Sequence, residues 1–197
     1  MAVPNLTRDD AAARAALLAV SSYDLFLDVT DGQGHPGEET FRSITTITFD
    51  ARTPGAATVV DLVADRVRSA TLNGVELDVS GYTEERGLVL PDLAETNELV
   101  VDADFRYSRT GEGLHRFVDP EDEQVYLYTH FEPAEAKRMF ACFDQPDLKA
   151  TFTVHVTAPF DWQVISNTGD RTIEAGDAGS QLVHFTPTKR ISTYLVA

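Results

Sequence analysis

Beyond Ser21 the hydrophobic and polar positions alternate with a period of two. In "YDLFLDV", Tyr23, Leu25, Leu27 and Val29 fall on one side and Asp24 and Asp28 on the other. "NELVVDADFRYS" separates Leu99, Val101, Ala103, Phe105 and Tyr107 from Asp102, Asp104 and Arg106. "ATFTVHVTA" sets Phe152, Val154 and Val156 against Thr151, Thr153, His155 and Thr157, and "FRSITTITF" (41–49) is rich in β-branched residues. Such alternation predicts strands buried on one face. The clusters "DGQGHPGEE", "RTPGAA" and "AGDAGS" separate them, and Asn73-Gly74 within "SATLNGVELDV" predicts a tight hairpin of type I′.

The first segment breaks this rule. "NLTRDDAAARAALLAV" places Thr7 to cap a helix, Asp9 and Asp10 in its electropositive first turn, and a run of alanines behind them, which predicts a helix over 8–20. A second, short helix is expected over 133–140, beginning at Pro133. About ten strand candidates without βαβ alternation predict a mainly β chain: an antiparallel saddle-like or sandwich domain spanning 1–197. The apolar run "ISTYLVA" closes the sequence with no turn or cap after it, the pattern of a chain that continues.

Composition narrows the partners. Sixteen basic against 32 acidic residues give a formal charge of −16, which disfavours nucleic acid and anionic membranes. No apolar run approaches the roughly 18 residues that cross a bilayer, and no secretory leader is visible. The single cysteine, Cys142, cannot form an internal disulfide, and cytoplasm is the simplest expectation.

The candidate chemistry is sparse. None of the five histidines pairs with another at a spacing of two to five residues, and no His-Glu-x-x-His occurs, so a zinc site is not expected from this chain. His155 and His184, at polar strand positions, read as solvated. Cys142 reads as a buried small hydrophobe in preference to a nucleophile. The acidic run "DPEDE" lacks the alternating oxygen spacing of a calcium loop and reads as a solvated loop. His130 and Glu132 stand at a strand end just before a helix start, a place where side chains point outward from rigid flanks. They are either a binding pair or simply an edge histidine and a helix-start acid.

"EPAEAKRMFACFDQPDLKATFTV" decides between these readings. It resembles the N-terminal domain of the M1 family of zinc aminopeptidases, the aminopeptidase N type, through Arg138, Phe140, Cys142, Phe143, Asp144, Pro146, Leu148, Lys149, Ala150 and Phe152. Ala141 stands where the family has Pro, and Gln145 where it has Glu; neither position is expected to touch substrate. "GLHRF", with His115 for a Tyr, "VISNT" and "STYLVA" resemble further family segments, the last a closing strand. The resemblance implies a β-rich domain lying over a catalytic domain that follows it and carries the zinc. It implies that this chain alone holds no zinc and is inactive. It also implies that His130 and Glu132 line the first specificity pocket, with Glu132 meeting the free α-ammonium of a peptide; His130 departs from the family's common Gln. A non-catalytic β-sandwich interaction module is the alternative.

Overall fold

The computed structural model describes residues 6–197. Thr7 caps the first helix as expected: its Oγ1 accepts the Asp10 amide at 3.2 Å, and α1 runs Arg8–Leu17. The helix stops three residues earlier than the alanine run suggested. Leu18 and Val20 are buried and pair with Ala51 and Phe49 in the sheet, so burial in a strand overrides local helix propensity. Arg52 closes the helix, its Nη1 donating to the Ala15 and Ala16 carbonyls at 2.7 and 2.8 Å, where a cation also complements the dipole.

Among the described residues twelve strands follow: β1 (Leu18–Asp28), β2 (Thr40–Ala51), β3 (Thr58–Val60), β4 (Arg66–Leu72), β5 (Val75–Glu76), β6 (Leu88–Leu90), β7 (Thr96–Arg106), β8 (Gly113–Val118), β9 (Val125–His130), β10 (Thr151–Pro159), β11 (Arg171–Ala175) and β12 (Ser180–Phe185). Eight form one sheet in the order β11-β12-β10-β1-β2-β7-β4-β5, antiparallel except for the β1–β10 pair. β3–β6 and β8–β9 make two small ribbons. The Asn73-Gly74 hairpin is present, with both residues at positive φ between the paired Leu72 and Val75.

The alternation read from the sequence is the alternation of the core. Tyr23, Leu25, Leu27 and Val29 are buried, as are Leu99 through Tyr107 at every second position, and Phe152, Val154 and Val156. A bulge between Val20 and Ser22 lets both Val20 and Tyr23 face inward although they are an odd number of residues apart. On the outer face the charged residues pair across strands, Arg42 with Asp102 and Arg68 with Asp104. That cross-strand pairing is how an acidic chain lays carboxylates beside one another.

The inner face is covered by the segment after β9. Phe140, Ala141, Cys142 and Phe143 are all buried. Tyr23 stacks on Phe152 with ring centroids 4.7 Å apart, Phe140 meets Tyr23 edge-on at 6.1 Å, and Phe143 meets Phe49 at 5.2 Å. Cys142 bridges to Asp61 through two backbone hydrogen bonds of 2.8 and 2.9 Å. The most distinctive stretch of the sequence is therefore chiefly a core insert.

Candidate functional site

The corner that carries His130 and Glu132 is built by one buried aromatic between two exposed polar residues. β8 and β9 pair in register, Gly113 opposite His130, and His130 is the last residue of β9. Phe131 then turns inward, 2% exposed, and meets Phe140 edge-on at 6.2 Å. With Phe131 anchored, His130 and Glu132 on either side of it are exposed. A turn follows the cis Glu132–Pro133 bond, closed by the Glu135 amide donating to the Phe131 carbonyl at 2.8 Å.

The helix expected from Pro133 does not form. Only a single 3-10 turn, Ala136–Arg138, is present. Every residue from Met139 to Gln145 is buried, so the chain must leave the helical path at once to enter the core. Glu132 consequently has no helix dipole beneath it. Among the described residues its carboxylate makes no hydrogen bond or ion pair.

The hairpin and the 3-10 turn touch at Gly113. Its φ is +74°, and a Cβ there would lie 2.9 Å from the Arg138 Cβ, so only glycine admits this approach. Arg138 pairs with Glu135. Glu112, at the hairpin mouth, has its carboxyl lowered chiefly by the Thr110 hydroxyl at 2.6 Å, with smaller help from Arg138 and His130. The corner thus holds a histidine and an arginine beside outward carboxylates. Tyr126 and Tyr128 continue the exposed face along β9, each about half exposed, and His115 lies against Tyr128 at 4.7 Å.

Behind the corner lies a buried charge cluster that the sequence reading missed. Arg14 grips Asp61 through two hydrogen bonds, 2.6 and 3.0 Å long. Asp61 also accepts the Asp144 amide at 3.0 Å, and Asp144 accepts the Thr193 hydroxyl at 2.8 Å and the Lys137 amide at 3.2 Å. Burial pushes the Asp144 carboxyl up to about 6, against those hydrogen bonds and the Lys137 charge. The available signal was an acid set inside the apolar run "FACFDQP". Gln145, the departure from the family pattern, is buried as well, its Nε2 donating to the Ala11 carbonyl at 2.9 Å. Ala141 and Gln145 both lie in the core, away from the exposed corner.

Cys142 is fully buried, and burial, followed by the charges of Asp144 and Asp61, holds its thiol well above the ordinary range. The two aspartates of "DPEDE" are spent on local hydrogen bonds: Asp119 accepts the Glu121 amide, and Asp122 accepts the Gln124 amide and the Tyr126 hydroxyl. His155 and His184 are not simply solvated, as their polar positions suggested. Their Nδ1 atoms lie 2.6 Å apart across β10 and β12. Among the described residues no three His, Cys, Asp or Glu side chains are placed to ligate one ion together, as the three-ligand site of a catalytic zinc requires, so this donor set does not fit a catalytic zinc.

One face remains concave. A groove of about 770 Å³ runs between β9, the outer ends of β1 and β10, the loop around Trp162 and the last residues, with Tyr126, Tyr128, Ile165 and Val196 among its walls. "STYLVA" is not a strand here: Thr193–Leu195 form a 3-10 turn whose neighbours are fixed by Asn167, its Nδ2 donating to the Leu195 carbonyl at 2.7 Å. No helix among the described residues is long and apolar enough to cross a membrane.

The Peptidase M1 N-terminal domain family matches residues 20–195. The chain is 49% identical over 194 residues to an aminopeptidase N of Streptomyces lividans, covering 98% of this chain but 22% of that protein. It is 28% identical over 184 residues to a probable aminopeptidase 1 of Sulfurisphaera tokodaii, covering 91% of this chain and 21% of the relative. With endoplasmic reticulum aminopeptidase 2 of Homo sapiens it shares 32% identity over 134 residues, 63% of this chain and 14% of the relative. The chain spans 22% or less of the length of each of these relatives. By this match, and by the mainly β fold built around the Phe140–Asp144 insert, the chain belongs to the Peptidase M1 N-terminal domain family.

Proposed function

We propose that this chain is the scaffold and substrate-pocket portion of a zinc-dependent aminopeptidase, with the zinc held by a catalytic domain outside these 197 residues. The observation that carries the reading is the corner at Glu132: an outward carboxylate without an internal partner among the described residues, beside a buried Phe131 that fixes its position. An aminopeptidase has to recognise a charged terminal amine. A carboxylate shielded from water by a neighbouring domain accepts hydrogen bonds from such an amine, and each charge-assisted bond contributes roughly 1.5–3 kcal/mol. Millimolar affinity already requires about 4 kcal/mol, so Glu132 contributes to peptide binding without sufficing for it. His130, on the other side of Phe131, borders the same pocket. The groove beside Tyr126, Tyr128 and Ile165 faces the rest of the protein. The compartment we assign is the cytoplasm, where a buried lone thiol such as Cys142 persists reduced.

In the longer protein, Glu132→Gln is expected to raise KM for peptides about 10- to 100-fold, the equivalent of one charge-assisted bond. Discrimination between free and acylated N-termini should shrink with it. Unchanged KM and unchanged discrimination would reject the role of Glu132. A His-Glu-x-x-His motif about one domain further along the coding sequence, within roughly 150 residues, is the matching expectation for the enzyme as a whole.

A further inference from the structure

On the outer face of the main sheet, three neighbouring strands bring together Asp24 of β1, His155 of β10 and His184 of β12. His155 and His184 are direct cross-strand partners, 29 residues apart in sequence, and their Nδ1 atoms approach to 2.6 Å. Two imidazole nitrogens at that distance share one proton: one donates, and the other presents its lone pair. The Asp24 carboxylate biases which is which. Its Oδ1 lies 3.4 Å from His155 Nε2, on the far side of the ring, which favours a proton at Nε2 and leaves the His155 Nδ1 lone pair facing His184. Phe26, the Cα partner of His155, holds both rings, 5.2 Å from His155 and 6.4 Å from His184. His155 is mostly covered, its side chain 16% exposed, while Asp24 opens to solvent at 57%.

We propose that this pair is a chelating site for a late first-row divalent cation that accepts square-planar geometry, Cu²⁺ above all. With metal–nitrogen distances near 2.0 Å, two adjacent nitrogens of a square-planar ion lie about 2.8 Å apart, and of a tetrahedral ion about 3.3 Å. The first needs the 2.6 Å gap to open by a few tenths of an ångström; the second needs several times that. On binding, the shared proton leaves His184 Nδ1 and His184 takes one from water at Nε2, so both rings stay neutral and both Nδ1 lone pairs go to the ion. Water fills the remaining positions. Asp24 does not ligate: its carboxylate stands 3.4 Å behind His155 Nε2 and electrostatically favours the tautomer that carries its proton there, leaving Nδ1 for the ion. Short-range sequence spacing gives no hint of the site because the two ligands meet only through strand register.

The test is a Cu²⁺ titration of the 197-residue chain by calorimetry, with electron paramagnetic resonance of the adduct. One ion per chain is expected, half-saturated at or below about 0.1 mM, with two nitrogens in the resonance spectrum. His184→Gln is expected to weaken binding at least about 10-fold and to leave one nitrogen, and Asp24→Asn to weaken it about 10-fold with both nitrogens kept. The unaltered protein supplies an independent reading: ¹H–¹⁵N imidazole spectra should lose the His155 and His184 resonances before those of His35, His115 and His130. Loss beginning at any of those three, or a double His155→Gln/His184→Gln variant that retains the wild-type isotherm, would overturn the proposal.

Discussion

Arg14 of α1 and Asp61, just beyond β3, are 47 residues apart and meet in a two-pronged ion pair that ties α1 to the end of the β3–β6 ribbon. Arg14 Nη2 also donates to the Val59 carbonyl at 3.3 Å, and the guanidinium lies 5.8 Å from the Phe143 ring centroid. The side chains are 7% and 20% exposed, so removing one charge strands the other in a poorly solvated place. Arg14→Ala is expected to cost about 3 kcal/mol in urea unfolding, the lower end for a broken buried pair. Arg14→Lys should fall between, since it keeps the charge and loses the fork. Equal stability of Arg14→Ala and wild type would place the helix's attachment elsewhere.

That pair marks the boundary of what the chain pattern makes legible. Positions 23–29, 97–107 and 152–156 declare their buried face because period-two alternation is local, and the Asn73-Gly74 turn is specified by two adjacent residues. The outward placement of His130 and Glu132 was readable for the same reason: a strand pattern ends there and proline follows. The end of α1 and the single turn at Ala136 were not, because partners distant in sequence decide both. Leu18 is drawn into pairing with Ala51, and Phe140 is drawn under Tyr23. The contacts of Arg14 with Asp61 and of His155 with His184 depend on sheet order, which no local spacing encodes.

Asp144 gives the fold a pH signature. Its carboxyl titrates at about 6 when folded, against an ordinary value of 3.8, because burial outweighs its bonds to Thr193 and Lys137. Between about pH 4 and 6 the folded chain binds the proton that the unfolded chain has released. This group's contribution is therefore fully present below about pH 4, falls as pH rises, and is gone above about pH 6. The amplitude is roughly 3 kcal/mol from a shift of about two units at 1.36 kcal/mol each. Urea unfolding of wild type and Asp144→Asn at several pH values should give curves that converge or separate by that amount across the window. Parallel curves would show that Asp144 is ionised in the fold throughout.

Cys142 should be chemically silent in the native state. Its thiol is enclosed, its backbone is clamped to Asp61, and burial beside two carboxylates disfavours the thiolate that reacts. Labelling with a thiol reagent is expected to rise with urea in step with the unfolded fraction, so the protein reports its own opening. Rapid stoichiometric labelling in native buffer would contradict this arrangement. Cys142→Ser, which buries a hydroxyl in the same space, should cost about 1–3 kcal/mol.

Gly113 offers the most direct test of how the Glu132 corner is held. An alanine there faces two costs: a left-handed backbone, and a Cβ 2.9 Å from the Arg138 Cβ, where neither side has a flexible end to move. Gly55 separates them, since its φ is +83° but nothing lies within 4 Å of its would-be Cβ. Gly55→Ala should therefore cost about 1 kcal/mol, the backbone component alone. Gly113→Ala should cost about 2–3 kcal/mol, with the excess coming from the hairpin being pushed off the 3-10 turn. Because His130 is the direct partner of Gly113 and Glu132 lies two residues on, that displacement moves the proposed amine-binding carboxylate. In the longer protein, Gly113→Ala is then expected to raise KM for peptides while Gly55→Ala leaves it unchanged. If both variants lose the same stability and neither changes KM, the contact between the hairpin and Arg138 does not set the geometry of the corner.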